Sequence, residues 1–124
     1  MKLLKQSPYG ITINYYLRGD SPSLLIHSGT HGDEHEVIAL VTNSLQQYLK
    51  SLPDFLFIPE VSPSAIKLKT RTNGNGADLN RSFLANTKEE EALAVMQLCR
   101  AYKFHLSLSF HEDPGLDQFY VYDV

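Results

Sequence analysis

Two short apolar runs, Leu24-Leu25-Ile26 and Phe55-Leu56-Phe57-Ile58, restrict this chain more than anything else in it. A strand without polar alternation has to be covered on both faces, which is how strands inside an α/β sheet read. Between the runs, Val37, Leu40, Val41, Leu45, Tyr48, Leu49 and Leu52 fall at helical spacing, and Pro53 stops the pattern. The spacing predicts a helix over 34–52 with one buried face. Strand, helix, strand in this order is a βαβ unit, so the two strands are expected to lie parallel.

The rest of the chain is read around that unit. Ile11, Ile13 and Tyr15 alternate with Thr12, Asn14 and Tyr16, a half-buried strand that turns at Gly19 and Asp20. Residues 62–83 show no regular period and read as a long loop, which in a compact domain is usually functional or disordered. Thr87-Lys88-Glu89-Glu90 is a capping box pattern. It predicts a helix with Ala92, Val95, Met96, Cys99 and Tyr102 on its inner face. Met96 and Cys99 at that spacing are core residues rather than ligands. Leu106, Leu108 and Phe110 alternate with Ser107 and Ser109 as a strand that runs into His111. A last strand is expected at 119–122. The fold class is α/β, three layers (α-β-α) around a mixed, mostly parallel central sheet, with residues 1–124 as a single domain.

Composition removes several classes of function. The formal net charge is −3 and there is no basic cluster of the kind that binds nucleic acid. The single cysteine, Cys99, rules out an internal disulfide framework. Met1 to Leu4 starts like a leader, but Lys5, Gln6, Ser7 and Pro8 follow at once, and no apolar run is long enough for a membrane span. The expectation is a cytoplasmic protein with no nucleic-acid or membrane partner.

Chemistry concentrates after the first apolar run, in His27-Ser28-Gly29-Thr30-His31-Gly32-Asp33-Glu34-His35. Imidazole and carboxylate are ligand types that suit zinc. His31 and Glu34 stand at His-x-x-Glu spacing, and His111 follows a strand on its own. Two histidines and one glutamate around an open fourth position form a catalytic zinc set, in which bound water is acidified towards pH ~7. An arginine beside the metal could stabilise an oxyanion, and an arginine with an asparagine could hold a carboxylate. Arg71, Asn80 and Arg81 in the long loop are the candidates. Two alternatives use the same stretch. His31, Glu34 and His35 match the inverted zincin pattern, but that needs His31 inside a helix, and Gly29 and Gly32 flank it. Asp33, Glu36, Glu112 and Asp113 supply enough carboxylates for a second metal. His27 and His105, in apolar strands, read as core or edge histidines.

His31-Gly32-Asp33-Glu34, Arg71, Asp78-Leu79-Asn80-Arg81-Ser82-Phe83 and His111 together resemble the zinc metallocarboxypeptidase superfamily. That superfamily includes the murein tripeptide amidases and the succinylglutamate desuccinylase/aspartoacylase branch. The Asp-Leu-Asn-Arg-x-Phe string is the most specific piece, and the resemblance spans 23–113. It implies one zinc ion per chain, held by His31, Glu34 and His111. It implies that Arg71 polarises the scissile carbonyl and that Asn80 and Arg81 bind a terminal carboxylate. Asp78 would orient the loop or a ligand histidine. The implied activity is hydrolysis of an amide bond next to a carboxylate, on a small peptide or an N-acyl amino acid. The superfamily's general base is a glutamate well downstream of the third ligand. Here only Glu112, Asp113, Asp117 and Asp123 follow His111. Against that pattern the chain is expected to be the N-terminal part of a catalytic domain, or a shortened homologue that binds zinc or peptide without turnover. A homo-oligomer formed through the strand at 119–122 is the remaining partner expectation.

Overall fold

A computed structural model describes residues 1–122. Its centre is the βαβ unit. Strand β3 (Leu24–His27) and strand β4 (Phe55–Ile58) pair in parallel, with Leu24 opposite Phe55 and His27 opposite Ile58. All four residues of β4 are fully buried, as an unbroken apolar run requires. Strand β2 (Ile13–Arg18) runs antiparallel to β4, and an unforeseen β1 (Leu3–Gln6) runs antiparallel to β2. Strand β5 (Leu106–Ser109) lies parallel to β3. The sheet order is β1-β2-β4-β3-β5, mixed as expected.

Helix α1 (Glu36–Gln47) covers one face through Val37, Val41 and Leu45, over Leu24, Ile26, Phe55 and Phe57. Helix α3 (Glu90–Cys99) covers the other through Ala92, Ala94, Val95 and Leu98, over Ile13, Leu56 and Ile58. Successive strand side chains point to opposite faces, so one strand feeds both cores.

Several expectations are corrected. Helix α1 begins at Glu36, so Glu34 stands in the turn before it. Leu40 and Tyr48 are exposed, not part of its buried face. After Tyr48 the chain tightens into a 3-10 turn at Leu49–Ser51, where Arg18 donates to the carbonyls of Leu49 and Leu52. The capping box does not form: Glu89 is the N-cap of α3, and Thr87 Oγ1 accepts only from the Glu89 amide. Residues 119–122 form no strand, and Phe119, Val121 and Tyr122 are largely exposed. The expected oligomer contact therefore lacks its strand. Among the described residues, β5 is the last strand on that side of the sheet and is exposed along its whole length. Among the described residues, no helix is long and apolar enough to cross a membrane.

The stretch 62–83 holds more regular structure than its lack of period suggested. Helix α2 (Pro63–Leu68) starts with Ser62 as N-cap and Pro63 in the first turn. The buried Glu91 carboxylate accepts from Ser62 Oγ at 2.7 Å and from the Ser64 amide at 2.7 Å, tying α2 to α3. A 3-10 turn spans Leu79–Arg81, capped by Asp78. Asn73 is 5% exposed; its Oδ1 accepts from the Asn75 and Ala77 amides, and its Nδ2 donates to Glu89. Side-chain hydrogen bonds, not an apolar stripe, order this segment.

Candidate functional site

The turn after β3 is set by backbone contacts. The Ser28 amide donates to Ile58, and Ser28 Oγ donates to the Pro59 carbonyl at 2.8 Å. Gly29 takes φ +63°, and a Cβ there would stand 2.6 Å from the Pro59 oxygen. The Gly32 amide donates to the Thr70 carbonyl at 2.8 Å, and a Cβ on Gly32 would overlap the Ala65 carbonyl in α2. Both glycines let the turn press against its neighbours. His31 and Glu34 end up nearly buried, at 2% and 8% exposure. From the other side, the Phe110 amide donates to the His27 carbonyl, extending β5 alongside β3 to His111.

The structure brings His31, Glu34 and His111 together, with one ligand-type atom of each within 4.8 Å of the others. His31 Nδ1 lies 2.6 Å from Glu34 Oε1, and His111 Nδ1 lies 2.8 Å from Glu34 Oε2. The imidazoles are 5.2 Å apart, tilted by 50°. Their outer nitrogens are held as well: His31 Nε2 is 2.9 Å from Asp78 Oδ1, and His111 Nε2 is 2.9 Å from Ser109 Oγ. Burial pushes the Glu34 carboxyl up, but hydrogen bonds to His111 and His31 outweigh it and hold the group below the usual carboxylate range. The anionic form is favoured, which is the form a metal needs. Two Nδ1 atoms and a carboxylate, converging from the turn after β3 and from the end of β5, fit a small divalent cation of zinc type.

Asp78 is the hinge between this cluster and the basic loop. Its Oδ1 faces His31 and accepts from the Asn80 amide at 3.1 Å. Its Oδ2 accepts from Arg71 Nη2 at 3.1 Å and Nε at 3.3 Å, and Arg81 Nε stands 3.8 Å away. Burial pushes Asp78 up; His31, then Arg71 and the Asn80 amide, bring it below its ordinary value. Arg71 and Arg81 are thus gathered beside the cluster with guanidinium surface still open to solvent, and Asn80 is exposed next to them.

Other candidates fall elsewhere. Among the described residues, His35, Asp33, Glu36 and Asp113 join no group of three ligand-type side chains. His35 is the N-cap residue of α1, so the helix that the inverted zincin pattern needs is not built around His31. His105 is exposed, and its amide donates to the Ser23 carbonyl at 2.8 Å. Burial, then the nearby His111, pushes the His27 imidazole down to about 4, and its Nδ1 is buried without a hydrogen-bond partner. Glu112 directs its carboxylate to the Val37 amide at 2.7 Å, and Asp113 accepts from Tyr120 Oη at 2.7 Å and from the Gly115 amide. Asp123 lies outside the described residues. Ser109 and Glu112 were missed as supports; Ser-x-His at a strand end was the available signal for the first, since i and i+2 share a face.

Comparison with known proteins agrees with this geometry. The family model of the succinylglutamate desuccinylase/aspartoacylase catalytic domain matches residues 20–117. Murein peptide amidase A of Escherichia coli (strain K12) is 40% identical over 70 residues, covering 56% of this chain and 29% of that protein. The matched region is thus less than a third of that relative's length. An aspartoacylase family protein from Mesorhizobium loti superposes with a TM-score of 0.67 at 25% identity, over 82% of this chain and 35% of that one. Murein-tripeptide amidase from Escherichia coli O157 shares the fold, with a TM-score of 0.67 at 21% identity over 91% of this chain and 60% of that one.

Proposed function

The chain belongs to the succinylglutamate desuccinylase/aspartoacylase catalytic-domain family, and from that premise we propose that it acts as a zinc-dependent hydrolase of an amide bond next to a carboxylate. One observation carries the proposal: Glu34 offers an oxygen to each of two histidine Nδ1 atoms, and each histidine is braced from behind. Residues 1–124 belong to a single metallocarboxypeptidase-like catalytic domain, as its N-terminal part, with His31, Glu34 and His111 as ligands of one zinc ion. When bound, the ion would supply Lewis acidity, polarising a carbonyl and acidifying a water. With the ion bound, Asp78 would accept the Nε2–H of His31 and so fix the tautomer whose Nδ1 lone pair coordinates. Arg71, which stands on Asp78 beside the cluster, would stabilise the oxyanion that develops when the carbonyl is attacked. Asn80 and Arg81 hold the substrate carboxylate, the arginine by paired N–H donors. Glu112 is not placed as a general base, because its carboxylate serves the start of α1.

The match to murein peptide amidase A supports a peptide substrate. The desuccinylase/aspartoacylase match supports a second substrate reading, an N-acyl amino acid cleaved by the same residues. Metal content by plasma mass spectrometry, wild type beside His31→Ala, tests the centre. About one zinc per chain in the wild type, lost in the variant, is the expected result. No metal after reconstitution would overturn it. Release assays on dipeptides, murein-type peptides and N-acyl amino acids then separate the substrates. Stoichiometric zinc without turnover of any of them would reduce the protein to a metal-binding homologue.

A further inference from the structure

We infer that Glu112 is a positioning residue: its side chain caps helix α1 from the far end of the chain and thereby holds His111 on Glu34. Helix α1 has no cap of its own, since His35 at the N-cap makes no side-chain hydrogen bond. The first amides of a helix have no partner inside it, and an N-cap oxygen ordinarily takes the second or third. Here Glu112 Oε1 accepts from the Val37 amide, the second of α1, at 2.7 Å, across 75 residues of sequence. A carboxylate at that end also meets the positive pole of the helix. The backbone of the same residue does a second job, because the Glu112 amide donates to Glu34 Oε2 at 3.2 Å. That oxygen is the one that His111 Nδ1 faces at 2.8 Å.

One residue therefore fastens the end of β5 to both the helix and the carboxylate that precede and join it. The fastening is needed there. Among the described residues β5 pairs with β3 alone and all four of its residues are exposed, so little packing within them fixes where His111 goes. His31 and Glu34 sit in a buried turn, whereas the His111 side chain is 30% exposed. Without the cap, His111 is held among the described residues by the pairing of β5 with β3 and by Glu34 and Ser109.

The test uses the whole chain in two states. In the metal-free protein, hydrogen exchange reads the amides of residues 37 and 112. In the loaded protein, cobalt(II) reads affinity by competition and ligand geometry by its visible absorption. Glu112→Ala is expected to lose protection at both amides and to bind cobalt about 10–100-fold more weakly with an altered spectrum, as supports behind metal ligands commonly cost. Glu112→Gln keeps an acceptor oxygen and is expected to restore both protections and most of the affinity. Should Glu112→Ala not fold, Glu112→Asp takes its place: one methylene shorter, it cannot reach Val37 with His111 where it is. Lost protection at residue 37 alone, with cobalt affinity unchanged, would overturn the inference by making Glu112 a helix cap and nothing more. The affinity consequence rests on the zinc reading above. If the wild type takes up no cobalt, that reading falls, and the two amides alone decide whether Glu112 holds the end of β5 on Glu34.

Discussion

Asp78 shows how much one side chain carries here. It meets His31 on one oxygen and Arg71 on the other, and it caps the 3-10 turn that bears Asn80 and Arg81. Asp78→Ala should weaken zinc binding about 10–100-fold, while Asp78→Asn, which can still accept from His31, should lose less; competition with a chelating dye gives both numbers. Gly32 is constrained by space instead. Gly32→Ala drives a methyl into the backbone carbonyl of Ala65, the buried residue of α2, and should cost about 1–3 kcal/mol in urea denaturation. An unchanged midpoint would mean the turn relaxes freely away from α2. At this scale the sequence was readable where chemistry is scarce. Three imidazole and carboxylate groups ahead of the same sheet edge stood out, and the resemblance left Asp78 as an orienting residue. The target of Ser109 was readable only from its Ser-x-His spacing, and that of Glu112 not at all. A serine in a strand and a glutamate beside a ligand are common, and the Val37 amide that Glu112 finds is 75 residues away.

Among the elements, β3 and β4 were legible because burial imposes a pattern on every residue of a strand, whereas β5, exposed throughout, was legible only from its alternation of leucine and serine. Helix α2 was missed although Ser62-Pro63 is a helix start, because six residues are too few to show a period. The capping box misled for a related reason: Thr87 bonds within its own turn, and α3 begins later. Strand β1 lay in a stretch read only for whether it was a leader. Helix α1 offers the sharpest test. Helical spacing alone placed Leu40 beside Val41 and Leu45, yet Leu40 is 66% exposed and Leu45 7%. Leu45→Ala should cost about 2–5 kcal/mol. Leu40→Ala should stay within about 0.5 kcal/mol, as exposed positions do. Equal losses in parallel urea titrations would mean that Leu40 is covered in solution.

For the whole molecule, two apolar cores share one sheet, and the titratable cluster sits at the end of the strands between them. Stability should therefore respond to acid in two steps. The first belongs to His27. Its folded value is pushed down to about 4 from 6.5, so between those values the unfolded chain binds a proton that the folded chain refuses. Stability rises with pH wherever the unfolded state holds more protons, so this contribution is complete above pH 6.5 and is lost as pH falls towards 4. The shift corresponds to roughly 3 kcal/mol. The second step belongs to Glu34 and Asp78, both held below their ordinary values. Their contribution is present above the unfolded carboxylate range and is lost below it, as pH drops through the folded values. Urea denaturation of the metal-free protein at pH 7 and pH 5 isolates the first step, because the two carboxylates stay ionised at both. The midpoint should fall at pH 5. His27→Leu has nothing to protonate there and should flatten the difference without touching the steeper loss at lower pH. A variant that kept the full drop between pH 7 and pH 5 would move the acid sensitivity from His27 to the other histidines of the chain.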